Sequence, residues 1–193
     1  MKKTVFVLIT LLLLSCGTVS TPESHYYRLS SDNKQYSSIK SFDKTIRIIP
    51  FKTTGLLASS YLLYSEKQRP NEVKQYHYHQ WHAPLSIVLT NKMTTALKAL
   101  LDTEVSVHDY SSFTGYMVEP SLQEMEIRYV EDGAILVVKL AVIVKDKIAG
   151  IVLNKTYISE ETNLTKDIYV LVSNYNTVLD NIFSQLANDL ASL

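Results

Sequence analysis

Residues 122–159 read LQEMEIRYVEDGAILVVKLAVIVKDKIAGIVLNKTYIS. Apolar residues fall at Leu122, Met125, Ile127 and Tyr129, and Glu131-Asp132-Gly133 then interrupts with an Asp-Gly pair of the kind that closes hairpins. Residues 135–145 are rich in β-branched side chains, Asp146-Lys147 and Gly150 mark a second reversal, and residues 151–159 follow as a third run. Connections this short join antiparallel neighbours, because a parallel pair needs a long crossover. The stretch therefore predicts a meander of three long strands with one face to bury.

Two amphipathic segments outside the meander can cover that face. From Trp81, apolar residues recur at Leu85, Val88, Leu89, Met93, Ala96, Leu97 and Leu100, the spacing of a helix, with Pro84 tolerated in its first turn. Residues 166–193 carry Val172, Tyr175, Leu179, Ile182, Phe183, Leu186 and Leu190 on one stripe, and Asp167 stands near the amino end, where a carboxylate complements the helix dipole. Trp81, Leu85, Val88, Leu89 and Met93 are expected to pack the first helix on the sheet. Shorter strands are expected at residues 25–29, at residues 45–50, where Pro50 removes a donor, and at residues 104–108. A hairpin joins residues 61–64 to residues 73–79 around Pro70 and Asn71, and residues 30–41 form a polar connection. The expected fold is α+β: a single two-layer domain at 25–193, with two amphipathic helices packed on a mostly antiparallel sheet.

The amino terminus has a different character. Lys2 and Lys3 precede an apolar run at residues 5–14, broken only by Thr10, and the run ends in Leu13-Leu14-Ser15-Cys16-Gly17. Ten residues are too few to span about 30 Å of hydrocarbon as a helix, so the segment reads as an export signal. A small residue followed by cysteine resembles the lipobox of bacterial lipoproteins, in which the leader is removed and the cysteine is acylated on its sulfur and its amine. Residues 1–15 are then a signal peptide, Cys16 is the lipidation site, and 16–24 is a lipidated tether whose eight residues after Cys16 reach at most about 28 Å. The competing readings are an ordinary signal peptide with a chance cysteine and an uncleaved anchor. Neither explains why the only cysteine of the chain stands there.

Loss of residues 1–15 leaves 178, enough for one domain. The whole chain has 19 basic and 19 acidic residues, and without Lys2 and Lys3 the balance is 17 against 19, or minus two. No basic stripe is present to neutralise phosphates, which argues against nucleic acid as a partner. A lone cysteine forms no intramolecular disulfide, and the densest internal apolar stretch, 134–144, is interrupted by Lys139.

Few residues are spaced for chemistry. His77, His79 and His82 lie within six residues, and histidines two apart on a strand share a face as metal ligands can. A closed zinc site needs four ligands, no cysteine is available, and no carboxylate follows Glu72 nearby, so a solvated strand of tyrosines and histidines is the plainer reading. No metal, cofactor or catalytic residue is expected. Nucleophile signatures such as Gly-x-Ser-x-Gly are missing, and Gly17, Gly55, Gly115, Gly133 and Gly150 are too scattered for a phosphate loop. Glu124 and Glu126 alternate with Met125 and Ile127 as on a half-solvated strand, and Glu160 and Glu161 are adjacent. Asn154-Lys155-Thr156 and Asn163-Leu164-Thr165 match the glycosylation sequon, by chance in a bacterial lipoprotein. Thirteen tyrosines against one tryptophan fit a sheet-rich binding domain. Tyr64, Tyr76 and Tyr78 are candidate interface anchors, the alternative being that they only cover the sheet.

The order of these features carries a family resemblance. A lipobox, a Tyr-Tyr-x-Leu strand ending at Leu29, an Ile-x-Ile-x-Pro strand from Ile46 to Pro50, a tyrosine-rich hairpin at residues 61–78 and a tryptophan opening an amphipathic helix at residues 81–101 resemble the ABC-type transport auxiliary lipoproteins, which include the paraquat-inducible lipoprotein C. The resemblance implies a fold similar to the amino-terminal domain of the Tol-system propeller protein. It also implies a lipid-anchored periplasmic accessory, not an enzyme, of a transporter that moves phospholipid or other hydrophobic cargo between the inner and outer membranes. The implied partner is a tunnel protein of the mammalian-cell-entry type, docked by contact, and the implied contact with the membrane is the lipid on Cys16. Gly17 is not the aspartate that retains lipoproteins at the inner membrane of enteric bacteria, so the implied location is the outer membrane, facing the periplasm. An envelope lipoprotein scaffolding a secretion channel or a peptidoglycan synthase is the alternative, and a homo-oligomer is open in either case.

Overall fold

The structure, a computed structural model, describes residues 22–29, 42–107 and 115–193. The leader, Cys16 and the tether as far as residue 21, the connection at residues 30–41, and His108 lie outside the described residues. Along the described chain the elements are β1 (His25–Tyr27), β2 (Ile46–Ile48), a 3-10 turn (Gly55–Ala58), β3 (Tyr61–Glu66), β4 (Arg69–Trp81), α1 (Leu85–Leu101), β5 (Val105–Val107), β6 (Tyr116–Val130), β7 (Gly133–Asp146), β8 (Gly150–Leu164) and α2 (Ile168–Ala191).

The meander is β6, β7 and β8, antiparallel along nearly their whole lengths. Its first reversal pairs Val130 with Gly133, where a Cβ would stand 2.5 Å from the Leu164 carbonyl oxygen, so glycine is required by the close approach of β8. The second reversal is closed by Asp146, whose Oδ1 accepts the amides of Ile148 at 2.8 Å and Ala149 at 3.1 Å, and by Gly150 at φ 76°. A register shift between Leu122 and Glu124 leaves Gln123 bulged. That bulge explains the sequence spacing: Leu122 and Met125, three apart, are both buried in the core.

Among the described residues β6 is the axis of an eight-stranded sheet. β7 lies along one edge; on the other, β2 pairs with its first residues and β3 with its last, both in parallel, joined by a bridge from Lys52 to Ser121. β5 adds in parallel to β2, β4 antiparallel to β3, and β1 in parallel to β4. Long antiparallel pairs and short parallel ones make the sheet mostly antiparallel, as expected.

Three local expectations are corrected. The meander was expected from Leu122, yet β6 begins at Tyr116 and contains Pro120. The amides of Tyr116 and Leu122, of the same parity as residue 120, donate toward Thr45 and Lys52. The missing amide of Pro120 therefore faces the gap after Ile48, where Pro50 has already ended β2. The hairpin turns at Lys67 and Gln68, with Glu66 paired to Arg69, and Pro70 and Asn71 belong to β4. Residues 70–73 bulge opposite Ser65 alone, so Pro70 is not asked to donate to the ladder. Trp81 ends β4 instead of opening the helix: it pairs with Tyr27 of β1, and its amide donates to Ser60 at 2.6 Å. Pro84, at φ −52°, is the N-cap, and a residue before proline avoids the helical region, so α1 cannot reach back to Trp81.

Both helices lie on one face. Leu89, Met93 and Leu97 of α1 and Val178, Ile182, Phe183 and Leu186 of α2 join Leu136, Val138, Leu140 and Val142 of β7 in one buried cluster. Trp81 also belongs to it, its ring 5.6 Å from that of Tyr175. Each such side chain contributes roughly 1.5–3 kcal/mol by leaving water. Asp167 caps α2, its Oδ1 accepting the Val170 amide at 3.2 Å. Lys92 of α1 and Asp180 of α2 form an ion pair at 3.1 Å with side chains only 5% and 6% exposed.

Candidate functional surface

Among the described residues the helices leave the other face of the meander uncovered, except near Glu126, where its partner Val137 is only 2% exposed. Alternation places Lys139, Ala141 and Ile143 of β7 on that face. Their partners complete rows across the sheet: Glu124, Lys139 and Ile158; Ser121, Ala141 and Thr156; Glu119, Ile143 and Asn154. Tyr157, between Thr156 and Ile158, points the opposite way and donates from its hydroxyl to Asp189 of α2 at 2.6 Å. Burial alone would raise the Asp189 carboxyl, but the hydrogen bonds of Lys155 and Tyr157 outweigh it and hold the group below the usual carboxylate range. The uncovered face thus mixes both signs of charge with small and apolar side chains.

At one end of this face stand the carboxylates singled out in the sequence. Glu124 and Glu126 do share it, and both are held by Arg128, whose Nε donates to Glu126 at 2.8 Å and whose terminal nitrogen reaches Glu124. Ser65 of β3 donates to Glu126 at 3.3 Å. The pair is committed to an arginine, an arrangement suited to rigid shape more than to proton transfer. Beside it a groove of about 290 Å³ lies between the 3-10 turn and the sheet, lined by Leu56, Leu63, Val73 and Met125. Glu160 and Glu161, adjacent on β8, point to opposite faces.

The histidines part company at the junction of β1 and β4. His79 accepts or donates at Nδ1 with the Tyr27 hydroxyl at 2.8 Å, stacks on His25 at 5.0 Å, and meets the edge of Tyr76 at 5.4 Å. Burial first, and the neighbouring His25 second, lower its affinity for a proton. His82 takes the Tyr27 carbonyl through its amide at 2.9 Å and through Nδ1 at 3.2 Å, while His77 lies against Tyr78. Among the described residues no three of His, Cys, Asp or Glu converge as a metal set. What His79 and His82 do is fasten β1, the strand into which the tether leads, onto β4.

The hairpin tyrosines divide as well. Tyr64, Tyr76 and Tyr129 form an inward cluster, with the Tyr64 and Tyr76 rings 4.5 Å apart and the hydroxyls of Tyr76 and Tyr129 hydrogen bonded. Burial, then the Tyr129 hydroxyl, push the Tyr76 phenol well above its usual value. Tyr64 and Tyr76 cover the sheet, and Tyr78 remains exposed. No helix among the described residues is long and apolar enough to cross a membrane.

No family model matches the chain, and no curated protein matches it by sequence. Solved structures share its fold. A crystal structure of protein XCC0632 from Xanthomonas campestris, of family model DUF330, superposes with a TM-score of 0.68 at 12% identity, over 84% of this chain and 92% of that one. A second, described as an uncharacterized protein, gives 0.67 at 15% identity over 89% and 98%. At these identities the likeness is one of fold.

Proposed function

We propose that the chain is a lipid-anchored envelope lipoprotein of the outer membrane, facing the periplasm, that serves a transporter of phospholipid or other hydrophobic cargo as a non-enzymatic accessory. It docks by contact to a tunnel protein of the mammalian-cell-entry type. The observation that carries the reading is Cys16, the only cysteine, placed where a leader ends and a short tether begins that leads into β1. The ordered motifs of the transport auxiliary lipoproteins support the accessory role, as does the agreement between the fold they imply, two helices on a mostly antiparallel sheet, and the fold described above. The uncovered face of β6, β7 and β8, with its mixed charge and committed carboxylates, is the docking surface in this reading.

Two acyl chains or more are needed for stable anchoring when each buried methylene contributes about 0.8 kcal/mol. Cys16→Ala in the full-length chain should therefore release the protein from membranes or block its maturation. Intact-mass spectrometry of the native protein should find diacylglycerol on Cys16, and an unmodified amino terminus elsewhere would overturn the anchor. Cross-linking in native membranes should recover a tunnel protein of the mammalian-cell-entry type. Recovery of a secretion channel or a peptidoglycan synthase in its place would overturn the transport role.

A further inference from the structure

Edges are where a sheet is open to another chain, and proteins blunt them with short strands, lysines, prolines or bulges. Among the described residues β1 and β5 end the sheet with three residues each, and β4, where it runs past β1, is broken by two bulges against β3. β8 is different. It spans fifteen residues, contains no proline and a single lysine, Lys155, and among the described residues pairs with β7 alone. Its register shifts lie at its two ends, so residues 153–161 form an unbroken run whose outer amides and carbonyls face away from the sheet. Ile158, at the middle of the edge, is 54% exposed.

We infer that β8 pairs antiparallel with β8 of a second copy of this chain, on a two-fold axis through Ile158. A two-fold axis perpendicular to the sheet keeps the uncovered faces of the copies on one side. Residues opposite each other must then share a face, so their numbers add to an even total. Charge selects among these registers. With Ile158 on the axis, Lys155 meets Glu161 of the partner subunit, and the contact occurs twice; both residues lie on the helix side with Tyr157, and Lys155 already reaches Asp189 at 2.7 Å there. On the uncovered side Ile158 meets its own copy, an apolar pair at the centre of the contact. An axis through Tyr157 sets Lys155 against a serine, and one through Glu160 sets two carboxylates together. Only the Ile158 register joins opposite charges directly and buries the exposed isoleucine.

Cysteine cross-linking reads the register without relying on stability. Under the function proposed above, Cys16 is acylated, so the full-length membrane-bound chain has no free thiol and an introduced one reports alone. Ile158→Cys on the axis brings two Cα atoms within about 4.5 to 5.5 Å, in range of a disulfide. Thr156→Cys places its copies roughly 13 Å apart, four residues out of register, beyond that range. Oxidised membranes should give a disulfide dimer of most of the Ile158→Cys chain and little of the Thr156→Cys chain. Adding Glu160→Cys to Thr156→Cys should restore the dimer, and Glu161→Lys should reduce the Ile158→Cys dimer several-fold by facing Lys155 of the partner subunit. Equal cross-linking at 156 and 158, no dimer at either, or an adduct of Ile158→Cys with a different protein would each overturn self-pairing. A disulfide dimer of the unaltered chain would instead show Cys16 to be unacylated, a failure of the anchor and not of the edge.

Discussion

His79 is the residue whose surroundings make the sharpest demand on solution conditions. It lies against His25, Tyr27 and Tyr76, with the Tyr27 hydroxyl on Nδ1, and burial together with His25 favours its neutral form. A histidine with a lowered folded pKa binds fewer protons in the fold than in the unfolded chain, so stability rises with pH across its titration. The contribution is complete above the unfolded value of about 6.5 and is lost as pH falls below it. Protonation would also place a charge in this half-buried cluster and weaken the attachment of β1. The urea midpoint of the unaltered protein should fall between about pH 7.5 and about pH 5.5, through this residue in part. His79→Gln, which cannot titrate, should show a smaller fall. Equal falls in the two proteins would assign the pH dependence to other groups.

Among the elements, α1 and α2 share a buried charge pair, Lys92 with Asp180. Removing one partner of such a buried pair costs about 3 to 5 kcal/mol, whereas replacing both with apolar groups is often neutral. Lys92→Met should therefore destabilise strongly, and Lys92→Met with Asp180→Leu should recover most of the loss in a denaturant midpoint. Additive losses would mean that the two charges do not act as a pair. The helices themselves were legible from their stripes, and Asp167 announced the cap of α2, because these signals are local. Lys92, four residues from both Val88 and Ala96, sits within the first stripe and Asp180 beside the second, but their pairing was not legible, since it depends on how the helices cross. The long meander was equally plain, but the start of α1 was not: Trp81 fits the helical spacing, and the strand wins it through Tyr27 and Ser60, partners remote in sequence. The same limit holds for the candidate surface. Alternation put Glu124 and Glu126 on one face, and Arg128 continues that alternation and could have been read there. Ser65, sixty-one residues from Glu126, could not. The three histidines looked like one site because they are close in sequence, but Tyr27, drawn in by β1, engages two of them.

For the whole molecule, the two-layer build separates stability from contact. The helices and one face of the sheet form the buried cluster, and the uncovered face can change its side chains without opening it. Pairing across β8 would join two such faces into one continuous surface beside the same membrane, with each copy held on its own short tether. A substitution on each side of the sheet should therefore produce opposite phenotypes. Leu89, fully buried in α1, should cost about 2 to 5 kcal/mol as Leu89→Ala and lower the denaturant midpoint accordingly. The fraction that remains folded should still capture the partner normally. Lys139 stands at the centre of the uncovered face, directly across from Glu124 on β6 and Ile158 on β8. Lys139→Glu places a like charge opposite Glu124, which costs under about 1 kcal/mol in stability. If this face is the docking surface, the same change should weaken partner capture about tenfold, equivalent to about 1.4 kcal/mol of binding free energy. The measurement is paired: a denaturant midpoint and a capture titration on each variant, in full-length chain solubilised from membranes. Normal capture by Lys139→Glu, with the fold intact, would move the docking surface elsewhere on the domain, to the groove beside Leu56 and Val73 or to the rim near Tyr78.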